Sequence, residues 1–367
     1  MTKSANDRFS QRRDRLTKTL KKLGVQAFLV SHPVNVSYLT GFSGEDSYLV
    51  VSPEKSLLIS DGRFTEQIEE ECPGLDANIR RTGLTLPGAV GEFAKSSKIM
   101  SMAFESNAMT VAGWESLKES CSVEWLGHSG GVEALRMVKD SDEIRQIREA
   151  IHVAERAFGI LKASLRNESD EKTLADQLDG WIRQLGGKRC AFPSIVAVGS
   201  RAALPHAVPT SRQFQEAEFV LVDWGAKGEF YNSDLTRILA TRKTSRKLAK
   251  VYEVVLRAQR HAIECIRPGV TGDAVDAAAR SVIEAAGYGK YFTHSLGHGL
   301  GMEVHEAPSL RRGSKTVLCP GMVVTVEPGI YIRGWGGVRI EDDVLVTRDG
   351  HEVLSSLPTE LEASVIA

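Results

Sequence analysis

The chain has 367 residues, 42% hydrophobic and 25% charged, which is typical of a soluble globular protein and long enough for two domains. Lys plus Arg total 46 and Asp plus Glu total 47, so the net charge is -1. This balance excludes the basic field that binds nucleic acid and the polybasic patch that binds membranes. The polar start predicts no signal peptide, and no stretch approaches the roughly 20 apolar residues of a membrane span.

The first part of the chain, residues 1–130, predicts a small α/β domain. Leu16, Leu20 and Leu23 lie on one face of a helix that ends at Gly24. A turn-rich segment is expected at 31–46 from its Gly, Pro, Asn and Ser content. Apolar runs predict strands at 25–30, 47–51, 56–60, 99–106 and 122–127.

Residues 131–367 predict an α+β domain, in which helices stand before and between antiparallel strand pairs. Apolar residues at helical spacing predict helices at 144–161, 174–185, 245–266 and 272–286. Strand-like apolar runs occur at 192–199, 219–226, 232–240, 323–332 and 337–346. The five cysteines, scattered and without a CxxC pair, favour free thiols in a reducing cytoplasm over disulfides or a zinc-thiolate site; they are Cys72, Cys121, Cys190, Cys265 and Cys319.

Acidic residues interrupt the apolar strands of the second domain. Asp223 follows the run VLV, and Asp234 lies eleven residues later, beyond a segment with the Gly and polar content of a hairpin turn. A hairpin would bring the two carboxylates together, and such close like charges cannot both stay ionised without a cation. Glu327 and Glu341 occupy similar positions in two later strands that the intervening glycines allow to fold against each other.

A histidine completes this set. His298 lies in a glycine-rich segment, where Gly297, Gly299 and Gly301 allow close backbone approach. A single Asp at a strand end is more typical of a cap or ion pair, and a single loop His of a structural role. Four carboxylates with one histidine, however, suit two divalent ions about 3.5–4 Å apart. The joint pattern favours a site for two divalent metal ions.

At these residues the sequence resembles the Xaa-Pro branch (aminopeptidase P and prolidase) of the pita-bread metallopeptidases. The matching stretches occur in the family's order over nearly all of residues 190–348. They are FPSIVAVGSRAALPHAVP, LVDWGAKGEFYNSDLTR, HSLGHGLGMEVHEAP, GMVVTVEPGIYI and GGVRIEDDVLVT. NVSYLTGFSGEDSYLVV and LISDGRF resemble the family's creatinase-like N-terminal domain. The resemblance therefore implies a pita-bread catalytic domain after a smaller α/β domain.

The resemblance also implies roles for individual residues. Asp234 and Glu341 would bridge two metal ions, Asp223 and His298 would bind metal, and Glu327 would bind one ion and hold the attacking water. The residues expected around the ligands are His206, His294, His305 and Arg339. Manganese is the expected ion, with cobalt, zinc or iron as alternatives.

The expected chemistry follows from these roles. Two cations lower the pKa of a shared water. Glu327 would take its second proton and pass it to the leaving proline nitrogen. His305 and His206 would donate to the developing oxyanion or to the next carbonyl. Tyr231 and Phe292 are candidates for the apolar wall that accepts the proline ring, although each is more typical of core.

One position departs from the dipeptidase pattern. In several dipeptidase-type relatives, a basic residue four positions after the VHE histidine binds the free carboxylate of a dipeptide. That position is Ser309 here, with Arg311 and Arg312 just beyond it as substitutes or solvated charges. An aminopeptidase that cleaves longer proline-containing peptides is therefore expected slightly ahead of a strict Xaa-Pro dipeptidase.

Other classes fit less well. A methionine aminopeptidase shares the five ligands but lacks the front domain and the LPHAVP feature. A metal-free creatinase-like amidinohydrolase need not preserve the ligands, and a non-catalytic peptide-binding relative should have lost several. The resemblance to the family implies a homodimer. The sequence leaves open the length of the substrate and the residue preferred before proline.

Overall fold

A computed structural model describes residues 3–166, 168–241 and 244–366, with the backbone alone for 3–7. The chain forms two compact units, Met1–Arg136 and Met137–Ala367. The sequence-based boundary at 130–131 stays a prediction. None of the helices in the described ranges combines the length and apolarity needed to cross a membrane.

The first unit is built around one six-stranded mixed sheet, in the order β4-β3-β2-β1-β5-β6. Its elements in chain order are α1 (Lys3–Leu23), β1 (Ala27–Val30), α2 (Pro33–Thr40), β2 (Tyr48–Val51), β3 (Ser56–Asp61), α3 (Thr65–Glu71), β4 (Asp76–Arg80), α4 (Leu86–Ser96), β5 (Ser101–Glu105), α5 (Val111–Ser120), β6 (Glu124–His128) and α6 (Glu133–Arg136). The predicted first helix and the pairing of 47–51 with 56–60 are confirmed.

The expectation of turns throughout 31–46 is wrong, because α2 occupies the middle of this segment. Pro33 stands in the first turn, where its missing N–H costs no hydrogen bond, and Gly41 ends the helix with φ 82°. The helix buries Val36, Tyr38 and Leu39. Turn-forming residues are compatible with a short helix when tertiary packing supports it.

The second unit contains several antiparallel sheets and four longer helices within the described residues. Its elements are α7 (Ser141–Ser164), α8 (Glu171–Gln184), β7 (Arg189–Cys190), β8 (Ile195–Val198), β9 (Phe219–Trp224), β10 (Ala226–Lys227), β11 (Leu235–Ala240), α9 (Arg246–Cys265), α10 (Gly272–Ala285), β12 (Gly297–Gly299), β13 (Glu306–Leu310), β14 (Val323–Val326), β15 (Gly329–Ile332), β16 (Gly336–Arg339), β17 (Asp342–Val346), β18 (His351–Val353) and α11 (Leu361–Ser364). The four helices predicted for this part are confirmed.

Two sheets of this unit matter for the site. One has the order β11-β9-β8 and the other the order β13-β12-β14-β17-β18. The predicted hairpin is present, since β9 and β11 pair antiparallel with Thr236 opposite Asp223. A single β-bridge between Thr236 and Glu341 joins the two sheets. Residues at these strand ends therefore meet in one place.

The helices cover the sheets with apolar faces. Leu174, Leu178 and Ile182 of α8 pack in a core with β8, β9 and β11. Buried residues of α9 and α10, such as Val255 and Ile283, share a larger core with the second sheet. Each Å² of apolar surface that is buried contributes roughly 25 cal/mol to stability. These cores therefore stabilise the sheets that carry the strand ends.

Candidate metal centre

The two aspartates predicted from the hairpin lie beside each other at its end. Asp223 is in β9, and Asp234 directly precedes β11. Both are nearly fully buried, with exposed fractions of 8% and 5%. The Asp234 backbone N–H donates to the Asp343 carboxylate at 3.2 Å, which fixes the start of β11. The chain thus carries two acidic side chains into an apolar interior.

The two glutamates come from neighbouring strands of the other sheet. Glu327 follows β14 and Glu341 precedes β17, and the pairing of Val326 with Asp342 puts them at the same end. The Thr236 hydroxyl donates to Glu341 Oε2 at 2.6 Å. This hydrogen bond turns the glutamate towards the aspartates of the first sheet.

Close backbone approach places His298, as the glycines around it predict. A Cβ on Gly297 would lie 2.0 Å from the Thr325 carbonyl oxygen, and one on Gly299 would lie 2.2 Å from that of Ala307. Real Cβ atoms do not tolerate such contacts. The backbone N–H of His298 also donates to the Thr325 hydroxyl at 3.1 Å. Glycine is therefore required on both sides of this histidine.

The His298 ring presents a lone pair to the acidic residues. Its Nδ1 lies 3.1 Å from the carbonyl oxygen of Gly299, which can only accept, so Nδ1 carries the proton. Burial lowers the pKa of His298 to about 4, so the ring is neutral near pH 7. Its Nε2 then faces Asp234 Oδ2 at 3.7 Å and Glu327 Oε1 at 3.4 Å. A lone pair directed at ionised carboxylates is repulsive unless a proton or a metal cation lies between them.

The burial of the carboxylates is also unfavourable to their charged forms. Burial raises the pKa of Asp234 well above its ordinary value, and the neighbouring Glu341 and Asp223 raise it further. Burial likewise raises the pKa of Glu327, with Glu341 adding to it. The pKa of Glu341 rises to about 8 through burial and then through Asp223. Burial also raises the pKa of Asp223, which Arg339 opposes.

These residues fit a metal site. Asp234, His298 and Glu341 each offer a ligand atom, and the three atoms lie within 4.8 Å of one another. Asp223 Oδ1 is buried without a hydrogen-bond partner among the described residues. An orphaned carboxylate oxygen beside such a cluster is the pattern expected of a ligand. Oxygen donors with one imidazole suit divalent ions of the first transition row.

Arg339 borders the cluster and has several partners. Its guanidinium forms a buried ion pair with Asp223, and its Nε donates to the Thr236 hydroxyl at 3.0 Å. The third contact is a donation to the Tyr331 hydroxyl at 2.8 Å. Arg339 therefore holds both the Asp223 carboxylate and the threonine that orients Glu341.

Tyr331 is a site residue that the sequence reasoning did not single out. Its hydroxyl lies 2.9 Å from Nε2 of His294, so it connects this histidine to Arg339. Burial raises the pKa of Tyr331 to about 12, so it stays protonated. Its hydroxyl fits because Gly329 leaves space; a Cβ there would be 2.4 Å away. The tyrosine lies inside the quoted EPGIYI stretch, but the strand alternation gave no reason to separate it from core.

A cavity of about 510 Å³ opens beside the cluster and is lined by all nine of the predicted site residues. His206 and His305 are solvent-exposed on it, and His294 is partly buried. The rings of His298 and His305 have centroids 4.3 Å apart. Its other lining residues are largely apolar: Phe192, Pro193, Ser194, Ile195, Pro205, Ala207, Val208, Pro209, Ser295, Val304 and Tyr331.

The two aromatic residues predicted for the proline wall are elsewhere. The Tyr231 hydroxyl donates to Glu143 at 2.6 Å, inside the protein. Phe292 is buried beneath the Arg280 guanidinium, 4.1 Å from its ring centroid. Neither belongs to the cavity lining of the described chain, so this prediction is wrong. Both are core aromatics, the alternative that their buried neighbourhoods favour.

The arginines after Ser309 are also away from the cavity. Arg311 and Arg312 are exposed, and Arg312 pairs with Glu284 at 2.8 Å. Among the described residues, Arg339 is the one lysine or arginine on the cavity lining. Arg339 is already paired with Asp223. The described part of the cavity therefore offers no unpaired lysine or arginine to the carboxylate of a peptide.

Comparisons with known proteins agree with this architecture. Residues 145–348 match metallopeptidase family M24, and residues 12–138 match the Creatinase/Prolidase N-terminal domain. The chain therefore belongs to metallopeptidase family M24. The pita-bread catalytic domain with a preceding creatinase-type domain, expected from the sequence, is confirmed, as is the resemblance to the Xaa-Pro branch.

Individual relatives span almost the entire chain. An uncharacterised peptidase of Bacillus subtilis is 39% identical over 95% of this chain and 98% of its own length. A Xaa-Pro dipeptidase from Bacillus anthracis has a TM-score of 0.93 at 37% identity, covering 96% of this chain and 99% of that one. An X-Pro aminopeptidase from Thermotoga maritima has a TM-score of 0.87 at 34% identity, covering 93% and 99%. One of these relatives is thus named a dipeptidase and another an aminopeptidase.

Proposed function

We propose that the second unit binds two divalent ions and hydrolyses the Xaa-Pro bond at the N-terminus of peptides. The observation that carries this proposal is the lone pair of His298 Nε2 facing buried carboxylates at 3.4 and 3.7 Å. Within family M24, bound cations are what would let these buried carboxylates stay ionised together beside a neutral histidine. The names of the relatives supply the Xaa-Pro specificity.

The proposed ligands come from both sheets. Asp223 and Asp234 contribute from the hairpin, and His298, Glu327 and Glu341 contribute from the five-stranded sheet. We assign the bridging positions to Asp234 and Glu341 from the family resemblance, and their ligand atoms lie within 4.8 Å of each other and of that of His298. Manganese is our first choice, and cobalt, zinc and iron suit the same donors. The bound ions would lower the pKa of a water molecule towards neutrality.

The side chains around the ligands would move protons and orient the substrate. Glu327 would accept a proton from the attacking water and deliver it to the proline nitrogen, a role for which its place on the cavity lining is suitable. His305 and His206, both exposed on the cavity, would donate to the carbonyl oxygen as negative charge develops there. Tyr331 and Arg339 would hold His294 and Asp223 in place.

The apolar part of the cavity supports the choice of substrate. A Xaa-Pro bond is a tertiary amide with a fixed ring and no N–H, so it needs apolar contact more than hydrogen bonds at that residue. Phe192, Pro193 and Ile195 line one part of the cavity, and Pro205 and Val208 another. These side chains replace Tyr231 and Phe292 as our candidates for the proline wall.

The preferred length of the substrate depends on whether a cationic side chain can bind the free carboxylate of a dipeptide. We propose that peptides longer than dipeptides are cleaved at least as efficiently as Xaa-Pro dipeptides, because Ser309 has no charge to pair with a free carboxylate and Arg311 and Arg312 do not line the cavity. A charge-assisted contact contributes roughly 1.5–3 kcal/mol, or about one to two orders of magnitude in specificity. We also propose that the protein is a homodimer and that it is cytoplasmic.

A substrate panel tests this assignment. We expect kcat/KM for Xaa-Pro-Xaa peptides to equal or exceed that for Xaa-Pro dipeptides in the manganese-loaded enzyme. Ser309→Arg should shift the ratio towards dipeptides by about tenfold, whereas the matched Ser309→Gln should not. A wild-type enzyme with a strong preference for dipeptides would show that another group binds the carboxylate and that the dipeptidase class is correct.

The role of His305 has a separate test. His305→Ala should lower kcat by about 10²-fold, the usual loss of an oxyanion donor, while the metal content stays the same. Metal analysis of the purified variant is the control. A parallel fall in metal content and activity would instead make His305 a ligand.

A further inference from the structure

His298 and His305 lie at the two ends of one short connection. His298 is in β12, His305 immediately precedes β13, and Gly299 pairs with Glu306 where the two strands separate. The segment 300–305 must therefore return the chain so that the two rings lie 4.3 Å apart. The conformation of this segment, called the histidine loop below, determines where His305 stands relative to the proposed ligands.

The near end of the histidine loop is anchored by the acidic hairpin. The Asn232 backbone N–H and side-chain Nδ2 both donate to the Gly301 carbonyl at 2.9 Å. The same Nδ2 donates to the Met302 carbonyl at 2.9 Å. Asn232 precedes Asp234 by two residues and is buried. The loop carbonyls are therefore tied to the strand that carries a proposed bridging ligand.

A buried ion pair anchors the far end. Lys139 Nζ lies 2.7 Å from Glu306 Oε1, and the two side chains are 0% and 6% exposed. Glu306 directly follows His305, and its carboxylate packs on Gly301, where a Cβ would be 2.3 Å from Oε1. The carboxylate thus lies across the base of the loop, between its two ends.

The backbone around Lys139 is itself fixed. Its N–H donates to the Gly321 carbonyl at 2.8 Å. The next residue, Asp140, caps α7 by accepting from the backbone N–H groups of Asp142 and Glu143. The lysine therefore extends from a rigid point, and its ammonium group can hold Glu306 in one place.

From this geometry we infer that Lys139, acting through Glu306, is a positioning residue that sets His305 for catalysis. The inference rests on the proposed function of His305. A buried ion pair seldom adds net stability over apolar residues of similar size, since desolvation offsets the attraction. What the ion pair does provide at the base of this loop is a fixed direction for Glu306 and the adjacent histidine.

The test compares the loss of the ion pair in two backgrounds. The double variant Lys139→Met/Glu306→Gln removes both charges of this ion pair together, so neither member of the pair is left as a charge facing its former partner. In the manganese-loaded full-length enzyme it should lower kcat about tenfold and change KM by less than threefold, with metal content unchanged. In the His305→Ala background, the same double change should lower kcat by less than twofold, because the group that it positions is gone.

Controls separate positioning from general destabilisation. Leu248→Ala, which opens a cavity in α9 and lines no part of the described active-site cavity, should lower the melting temperature without lowering kcat at 25 °C. If the double variant does not fold, Glu306→Asp, which keeps the charge but shortens its reach to Lys139, gives the same two-background comparison.

The outcomes are distinguishable. Equal losses of kcat in both backgrounds, or no loss with His305 present, would overturn the inference and leave the proposed function standing. Unchanged kcat in His305→Ala itself would contradict the role of His305 and remove the basis of the inference with it.

Discussion

Glu105 in the first unit and Glu341 in the second are carboxylates of similar burial, 1% and 2% exposed, in opposite surroundings. Glu105 Oε2 accepts the backbone N–H groups of Ser31 and His32 at 2.7 Å each, and its Oε1 accepts from Asn35 Nδ2 at 2.6 Å. Glu341 has a threonine hydroxyl at 2.6 Å and three other acidic residues around the same cavity. Three N–H donors satisfy the first carboxylate, whereas the second has one hydroxyl donor and lies among other acids.

The pKa values reflect the same contrast. Burial raises the pKa of Glu105, but hydrogen bonds from His32, Asn35 and Ser31 oppose the rise. For Glu341, burial and the nearby charge of Asp223 both raise the pKa. A buried acid with a full set of N–H donors is a structural element, and a group of buried acids without donors indicates a site for cations.

The largest expected effect comes from removing a proposed bridging ligand. Asp234→Ala should release most of the bound metal and lower kcat by more than about 10²-fold, the upper range for outer-shell partners. Asp223→Ala should release less metal, because Asp223 is assigned to one ion. Metal analysis after gel filtration, with Glu105→Gln as the control that keeps its metal, measures the difference. Equal metal loss in the two aspartate variants would show that the bridging role is misassigned.

A second prediction concerns the sign of a stability change in the metal-free protein. Glu341→Gln should raise the melting temperature after chelation, because it removes one of several repelling buried carboxylates and keeps an acceptor for Thr236. Glu105→Gln should destabilise by about 1–3 kcal/mol, since its amide would face the Asn35 donor. Thermal melts of both variants with excess chelator give the comparison. If both variants shifted the melting temperature in the same direction, the two buried glutamates would not differ in the way proposed.

The smallest effect is expected at the surface of the first unit. Hydrogen bonds from the Arg63 side chain lower the pKa of Asp61 from 3.8 to about 2. Because the folded pKa is depressed, this contribution to stability is present above pH 3.8 and is lost as the pH falls through about 2. Arg63→Gln should move the Asp61 pKa back towards 3.8 in an NMR titration, and Arg81→Gln is the control. An unchanged pKa would show that other groups stabilise the carboxylate.

Much of the fold was predictable because apolar periodicity directly records burial. The helix with Leu16 and Leu20 and the hairpin that carries Asp223 and Asp234 follow from spacing alone. The acidic residues of the proposed site also stood out, since acids after apolar runs are costly without a partner, whereas His206, His294, His305 and Arg339 came from the family resemblance. The helix α2 was missed because its residues favour turns locally, and packing of Tyr38 and its neighbours overrides that preference.

What the sequence could not supply was the direction of side chains. Tyr231 and Phe292 lie near proposed site residues in sequence, but their rings pack into the interior. Tyr331 looks like one more strand residue, yet its hydroxyl reaches His294 and Arg339. The contact between Lys139 and Glu306 joins residues 167 positions apart, and no local pattern connects them. Such contacts depend on tertiary packing and appear only in three dimensions.

The single bridge between Thr236 and Glu341 has a consequence for how the second unit unfolds. The two sheets meet there through few backbone contacts, and the proposed ligands are divided between them. In the metal-bound form, each ion would act as a cross-link that neither sheet could break alone. The opening free energies of the two sheets would then rise together with free metal concentration, as linkage requires. Metal supply would thereby set the stability of the folded enzyme as well as its activity.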